Sequence, residues 1–262
     1  MKNNFISILI TNYNKSRFLY KSLKSVSSQN YKNYEIIIFD DCSIDNSIKI
    51  INQFKKIKLI KNKKKRENSP ALNQINGIKR TFLKSKGSII CLMDSDDYFK
   101  RDKLKKINEF FQAHKEKKIL YNLPIVSKKK NFNICNKKRN KNIWPIIFPT
   151  SCISIKRKYL KIFFKNIEIN KYKNLEIDAR INIFFNFYLN DYNIINEKLT
   201  YYNFDNLGIT SNIPKFSRKW WLRRSEAFDY LKLILNKKEK IFKLSFDYII
   251  TNFICKFIKF FQ

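Results

Sequence analysis

Cys91-Leu92-Met93-Asp94-Ser95-Asp96-Asp97 sets three carboxylates at the end of an apolar run, in a chain that is otherwise strongly basic. Such a cluster attracts a cation. The stretch from Ser88 to Met93 is short, apolar and β-branched at its start, so it reads as a buried strand with the aspartates at its C-terminal end. Asp94 and Asp96 are two residues apart and share a face if the extended geometry persists. Magnesium and manganese are commonly held by one or two carboxylates, with water and substrate phosphate oxygens completing the shell. The ligand implied is a metal-bound phosphate ester. The same residues would also suit a solvated acidic turn leading into a helix that begins near Asp102, because aspartate favours turns and helix starts.

Upstream, apolar runs alternate with helical patterns as in βαβ units. Phe5 to Ile10 is a first strand, and Phe18, Leu19, Leu23 and Val26 then recur at helical spacing behind Ser16 as N-cap. Tyr34 to Phe39 is a second buried strand that stops at Asp40-Asp41. Asp45 or Asn46 caps a second helix carrying Ile48, Ile51 and Phe54, and Ile57 to Ile60 follows as a short strand. The basic run Lys61 to Arg66 reads as a loop, Pro70 opens a third helix and Gly87 punctuates its end. The fold class expected is α/β, a doubly wound, mostly parallel, Rossmann-like sheet with a helical C-terminal extension. In open sheets of this kind ligands bind beyond the carboxyl ends of the strands, which is where Thr11 to Asn14, Asp40-Asp41 and Asp94 to Asp97 fall.

Composition bounds the possibilities. With 262 residues and 44% hydrophobic content the chain can bury a sizeable core, so disorder is excluded as its general state. Lysine and arginine number 55 against 21 acidic residues, a formal charge of +34. That balance suits polyanionic partners such as nucleic acid, anionic membrane or nucleotide phosphate. Three glycines, scarce alanine and abundant Lys, Asn, Ile, Phe and Tyr also match what an AT-rich genome imposes on any protein. Cys42, Cys91, Cys135, Cys152 and Cys255 show no C-x-x-C spacing and His114 is the only histidine, which excludes a zinc constellation and suggests a reducing compartment. No signal-peptide pattern and no apolar run of about 18 residues are present, so the expected location is cytoplasmic, or peripheral on the inner face of the membrane.

Taken in order, S-I-L-I-T-N-Y-N-K-S, Y-E-I-I-I-F-D-D-C-S-I-D-N-S and G-S-I-I-C-L-M-D-S-D-D resemble family 2 glycosyltransferases of the GT-A fold over about the first hundred residues. The resemblance implies an inverting enzyme that takes its sugar from a nucleotide diphosphate, usually a UDP-sugar. It implies Mn2+ or Mg2+ as cofactor and a glycan or lipid-linked acceptor, as in cell-surface polysaccharide synthesis. Thr11, Tyr13 and Asp41 would then line the nucleobase pocket, Tyr13 stacking and Asp41 accepting from a base N–H. Asn14, Asp40, Asn73 and Asp94 join them as candidate nucleotide contacts. Asp94 and Asp96 would form the D-x-D metal site, with Asp97 an additional contact. Residues 1–100 would be the donor-binding half, 101–212 the acceptor half and 213–262 the helical extension. One departure is the loop Asn68 to Gln74, which lacks the arginine family members often carry there. Lys63 to Arg66 is the alternative source of a phosphate contact.

An inverting transfer needs a carboxylate on the second half of the chain to accept the acceptor proton. The family presents it in an E-D pair opening a helix. Here Asn174-Leu175-Glu176-Ile177-Asp178-Ala179-Arg180 precedes a helical run from Ile181 to Leu189, and Leu199 to Tyr202 is the later strand. Asp178 aligns as base, with Glu176 the alternative, and either would also favour a helix start electrostatically. In the segment Asn203 to Thr210, Asn203 and Asp205 stand where the family often has R-x-H, leaving Arg218, Arg223 or Arg224 to supply the cation. Trp220 and Trp221 belong to a helix running through Leu235, where packing on the domain is the expected role. Phe246 to Phe261 reads as an amphipathic basic helix, suited to an anionic bilayer surface or to docking on the core or a partner. Two other classes are weighed. A nucleic-acid-binding protein explains the charge but not three aspartates at a sheet end, and no compact RNA-binding motif is present. A nucleotidyltransferase shares the metal logic but would carry a glycine-rich loop after its first strand, and Thr11-Asn12-Tyr13-Asn14 has none.

Overall fold

The computed structural model describes residues 3–63, 66–126, 144–203 and 213–260. Asp205 and the rest of 204–212, Cys135, and part of the Lys61 to Arg66 run lie outside the described residues.

Period-two alternation builds the first half. In β1 (Ile6–Asn12), Ile8 and Ile10 point to one side and Leu9 to the other, and all three are fully buried because helices cover both faces. β1 is followed by α1 (Ser16–Ser27), β2 (Tyr34–Asp40), α2 (Ser47–Ile51), β3 (Ile57–Lys61), α3 (Pro70–Lys84) and β4 (Ile89–Asp94). β2, β1 and β4 lie side by side and parallel, with β3 outside β2. Register brings Asn12 level with Asp40 and Thr11 level with Asp94, so three strand ends converge where the sequence places its polar residues.

The second half departs from a purely parallel plan. After β5 (Tyr98–Phe99) and α4 (Lys103–Ala113) come β6 (Ile119–Val126), β7 (Ile153–Lys156), α5 (Arg157–Asn166), α6 (Ile177–Ile183) and β8 (Ile194–Tyr202). The sheet order is β3-β2-β1-β4-β7-β6-β8-β5. β7 runs antiparallel to β4 and to β6, β8 pairs parallel with β6, and β5 closes antiparallel on β8. The register of β6 on β8 slips around Leu123 and Pro124, where proline cannot donate to the ladder. α7 (Arg218–Asn236) and α8 (Phe246–Phe260) complete the chain.

Two local expectations change. Lys15, not Ser16, holds the N-cap position of α1, and the Ser16 N–H is capped from a distance by Asp45 Oδ2 at 2.9 Å. The helix expected from Ile181 begins at Ile177, so Glu176 and Asp178 open it.

Candidate active site

The loops after β1 and β2 are tied together by polar side chains. Asn12 Nδ2 donates to Asp40 Oδ1 (2.8 Å) and Ser43 Oγ donates to the same oxygen (2.6 Å). The Ser43 N–H reaches Asp40 Oδ2 (3.0 Å), and Asn14 Oδ1 accepts from the Ile44 N–H (2.9 Å). Asn14 and Cys42 take left-handed backbone, which turns each strand end sharply. Asp40 and Asn14 therefore work as loop anchors. Asn73 does the same before α3, its amide bonding both the N–H and the C=O of Glu67.

These loops bring Tyr13 and Asp41 together around Arg66. Asp41 Oδ1 accepts from Asn62 Nδ2 (2.7 Å), and Asn62 is itself held by Arg80 (2.9 Å). Asp41 Oδ2 accepts from Arg66 Nε (2.6 Å), and the Arg66 guanidinium lies 3.2 Å from the centre of the Tyr13 ring. Arg66, at the end of the basic run, is therefore engaged by Tyr13 and Asp41. Thr11 is half-buried, with Phe39, against Gly77. A side chain at Gly77 would meet Phe39 at 2.7 Å and Thr11 at 2.9 Å, so only glycine lets α3 approach the sheet this closely.

That approach carries Gln74 to the carboxylate cluster, where its Nε2 donates to Asp94 Oδ1 (2.7 Å). The Asp94 N–H is fixed by Ser151 Oγ (2.9 Å). Asp96 pairs with Lys15, Nζ to Oδ2 2.6 Å. Burial, and next the charge of Asp96, push the Asp94 carboxyl up to about 7, and Asp178 adds to the same effect. Asp97 turns away from the cleft. It is fully buried, its Oδ1 accepts from the Asn203 N–H (2.8 Å), and burial followed by the Asp96 and Asp94 charges holds its carboxyl well above the usual range. Lys103 lies buried nearby, bonded to Ser151 O (2.6 Å) and Thr200 Oγ1 (2.8 Å), and burial lowers its ammonium to about 8. These contacts make Asp97 a brace for the closing strand rather than an open ligand. Among the described residues no set of three His, Cys, Asp or Glu side chains stands ready for a metal. The two-carboxylate set Asp94 and Asp96 is of the kind that would suit a hard cation completed by phosphate oxygens.

Asp178 arrives from the other half of the chain. Its approach depends on a loop locked by buried Arg180, which donates to Leu175 O and Ile169 O (3.0 Å each) and to Tyr172 O. α7 braces that loop with residues on one helical face. Arg223 Nε binds both oxygens of Glu176 (2.9 and 2.7 Å), Glu226 accepts from the N–H (2.6 Å) and side chain (2.7 Å) of Asn174, and the Tyr230 hydroxyl donates to Arg180 O (3.2 Å). Glu176 is consequently buried and occupied, whereas Asp178 is partly exposed, its Oδ1 accepting its neighbour's N–H. Burial, and next the Glu176 charge, raise Asp178 to about 6. Tyr202 marks the meeting point. Its hydroxyl is held above its ordinary range by burial and then by Asp97, Asp178, Asp94 and Asp96, so one phenol feels both halves. Arg224 pairs instead with Asp247 of α8.

Sequence alone did not single out Lys15, Gln74, Ser151 or Tyr202. All but Gln74 lie far in sequence from their partners, and no short motif signals them. A cavity of about 370 Å³ opens between the starts of α3 and α7 beside Glu176, lined by Ser69, Pro70, Asn174 and Lys219 among others. Neither Tyr13 nor the Asp94–Asp96 pair lines it, so chemistry rather than volume places the site.

The model of glycosyl transferase family 2 matches residues 7–192, which takes in the ends of β1, β2 and β4 and Asp178. The chain belongs to glycosyl transferase family 2. Its fold is of the GT-A type. It is 37% identical over 111 residues to the Escherichia coli UDP-Glc:alpha-D-GlcNAc-diphosphoundecaprenol beta-1,3-glucosyltransferase WfaP, covering 42% of each chain. It is 34% identical over 106 residues to the putative teichuronic acid biosynthesis glycosyltransferase TuaG of Bacillus subtilis, covering 40% of this chain and 41% of that one. The match thus spans less than half the length of these curated relatives. In fold it is similar to S. aureus TarS in complex with UDP, with TM-score 0.67, 17% identity, and coverage of 88% of this chain and 65% of that chain. A mannosyltransferase from Pyrobaculum calidifontis in complex with GDP-Man and Mn2+ has TM-score 0.54 and 13% identity, over 95% and 68%.

Proposed function

We propose that this family 2 glycosyltransferase is an inverting, divalent-metal-dependent enzyme that moves a sugar from a UDP-sugar to a hydroxyl of a glycan or lipid-linked acceptor. What supports this reading is family 2 membership together with Asp94, Asp96 and Asp178 lying near enough for their charges to act on one another and on Tyr202. Tyr13 stacks on the base, Asp41 accepts from its N–H and Thr11 lines the same pocket. Asp94 and Asp96 hold Mn2+ or Mg2+, which when bound neutralises charge developing on the departing nucleoside diphosphate. Asp178 takes the proton from the acceptor hydroxyl as its oxygen bonds to the anomeric carbon on the side opposite the leaving diphosphate, which inverts that centre. Glu176 and Arg223 fix the helix opening that aims Asp178. Residues 1–100 serve the donor and 101–212 the acceptor.

The relative acting on a diphosphoundecaprenol-linked sugar and the relative placed in teichuronic acid synthesis support an acceptor in cell-surface polysaccharide assembly, used at the cytoplasmic face. The test is calorimetric titration of UDP and UDP-sugars with and without manganese. Binding of UDP that strengthens with metal is expected. Absence of binding to any nucleotide in either condition would overturn the reading.

A further inference from the structure

α8 is an amphipathic helix that has already used one side and leaves the other bare. Its inner side packs on α7 through Tyr248, Thr251 and Cys255: Cys255 Sγ lies 3.4 Å from Trp221 O, Tyr248 packs edge-on against Phe228, and Asp247 is held by Arg224. At 3.6 residues per turn, Phe246, Ile249, Phe253 and Phe257 fall within about 80° of one another on the opposite side. Their exposures are 79%, 53%, 60% and 52%. Ile241 and Leu244, also exposed, extend the strip upstream. Docking on the core is thereby ruled out as the fate of this strip, because the helix meets the core with its other face.

Lysines frame it. Lys243 and Lys256 are exposed beside the strip, while Lys237, Lys238 and Lys240, though exposed, turn to Asn166, Tyr188 and Asn190 on the core. Among the described residues no helix is long and apolar enough to cross a membrane. A contiguous exposed apolar patch with a basic rim is unusual on a protein surface unless something covers it. A second copy of this chain would bring two bodies of formal charge +34 together, whereas an anionic bilayer accepts the rings among its acyl chains and pairs its headgroups with the ammonium groups.

We propose that the outer face of α8, with Ile241 and Leu244, seats the protein in the plane of an anionic phospholipid bilayer. The contact is separate from the donor site, so its readout does not depend on the transfer reaction. The experiment is co-sedimentation of the protein with vesicles of phosphatidylcholine plus phosphatidylglycerol, and with phosphatidylcholine alone. The expected result is binding to the anionic vesicles that falls at least about ten-fold in Phe253→Glu/Phe257→Glu and drops with added salt. UDP binding stays as in the parent, which shows the variant is folded. Lys243→Gln/Lys256→Gln provides the charge arm and should weaken binding to anionic vesicles alone. The proposal is overturned by absence of vesicle binding, by equal binding of parent and Phe variant, or by equal binding to both vesicle types. Sedimentation velocity showing a dimer that the Phe variant dissolves would assign the strip to a second copy and overturn it as well.

Discussion

The guanidinium of Arg66 lies 3.2 Å over the ring of Tyr13 while its Nε grips Asp41. Both contacts are the ones proposed for a nucleobase, stacking on the phenol and a hydrogen bond to the carboxylate. If Tyr13 and Asp41 receive the base as proposed, Arg66 stands in its place and a uridine nucleotide must displace it. Arg66→Ala is expected to tighten UDP binding a few-fold, the equivalent of about 0.5–1 kcal/mol for the cation–π contact given up. A loss of affinity in titrations of this variant would instead make Arg66 a nucleotide contact.

A second expectation concerns the cation. Lys15 sits on Asp96 at 2.6 Å, so a divalent ion must compete with an ammonium for that carboxylate. Manganese should raise UDP affinity in the parent, and Asp96→Asn should remove the increment without lowering the melting temperature. Lys15→Met should let a lower manganese concentration reach half-saturation. Calorimetry in EDTA and in graded manganese checks all three, and identical UDP affinity with and without metal would remove Asp96 from the role.

The features legible in the sequence are those fixed by local chemistry. β1, β2 and β4 show as apolar runs ending in polar residues, and Pro70 marks the start of α3. The Asp94–Asp96 pair and Tyr13 with Asp41 could be placed because each closes a strand in a parallel set. Of the strands in the second half only the end of β8, Leu199 to Tyr202, was legible: β7 is four residues long, and the start of β8 alternates only weakly. Lys15 to Asp96, Arg66 to Asp41 and Arg223 to Glu176 are pairings made by the fold, and lysine and arginine are too abundant here for any one to stand out. The sequence already ranked Asp178 ahead of Glu176; what it did not show is the arginine that occupies Glu176, 47 residues away.

Arg223 offers a test of positioning. It touches Glu176 and not the reacting groups, so Arg223→Ala should leave donor KM nearly unchanged while lowering kcat, since Asp178 loses its fixed helix opening. Removing one partner also leaves the buried Glu176 charge unpaired, which should cost about 2–4 kcal/mol of stability by thermal or denaturant unfolding. Arg223→Lys should recover part of both, the loss of the two-oxygen contact keeping it below the parent. A variant with raised donor KM and intact kcat would place Arg223 at the donor instead.

The sharpest expectation separates the two acids that open α6. Asp178 must be ionised to accept a proton, and its carboxyl titrates near 6, so turnover should fall as pH drops below about 6. Asp178→Asn should lower turnover about 10²–10⁴-fold with donor binding intact, and should abolish that acid limb in the residual rate. The stability effect runs the other way. A carboxyl whose folded pKa is raised from 3.8 makes the folded state weaker as pH climbs from about 4 to about 6, and the cost is fully present at neutral pH. Asp178→Asn should therefore be more stable than the parent near pH 7, by about 1–3 kcal/mol, and show no advantage near pH 3. Glu176→Gln should do the opposite, losing stability with its Arg223 pair and losing turnover only modestly. If Glu176→Gln is the inactive variant and Asp178→Asn keeps both activity and its pH profile, the base lies two residues earlier than the geometry places it.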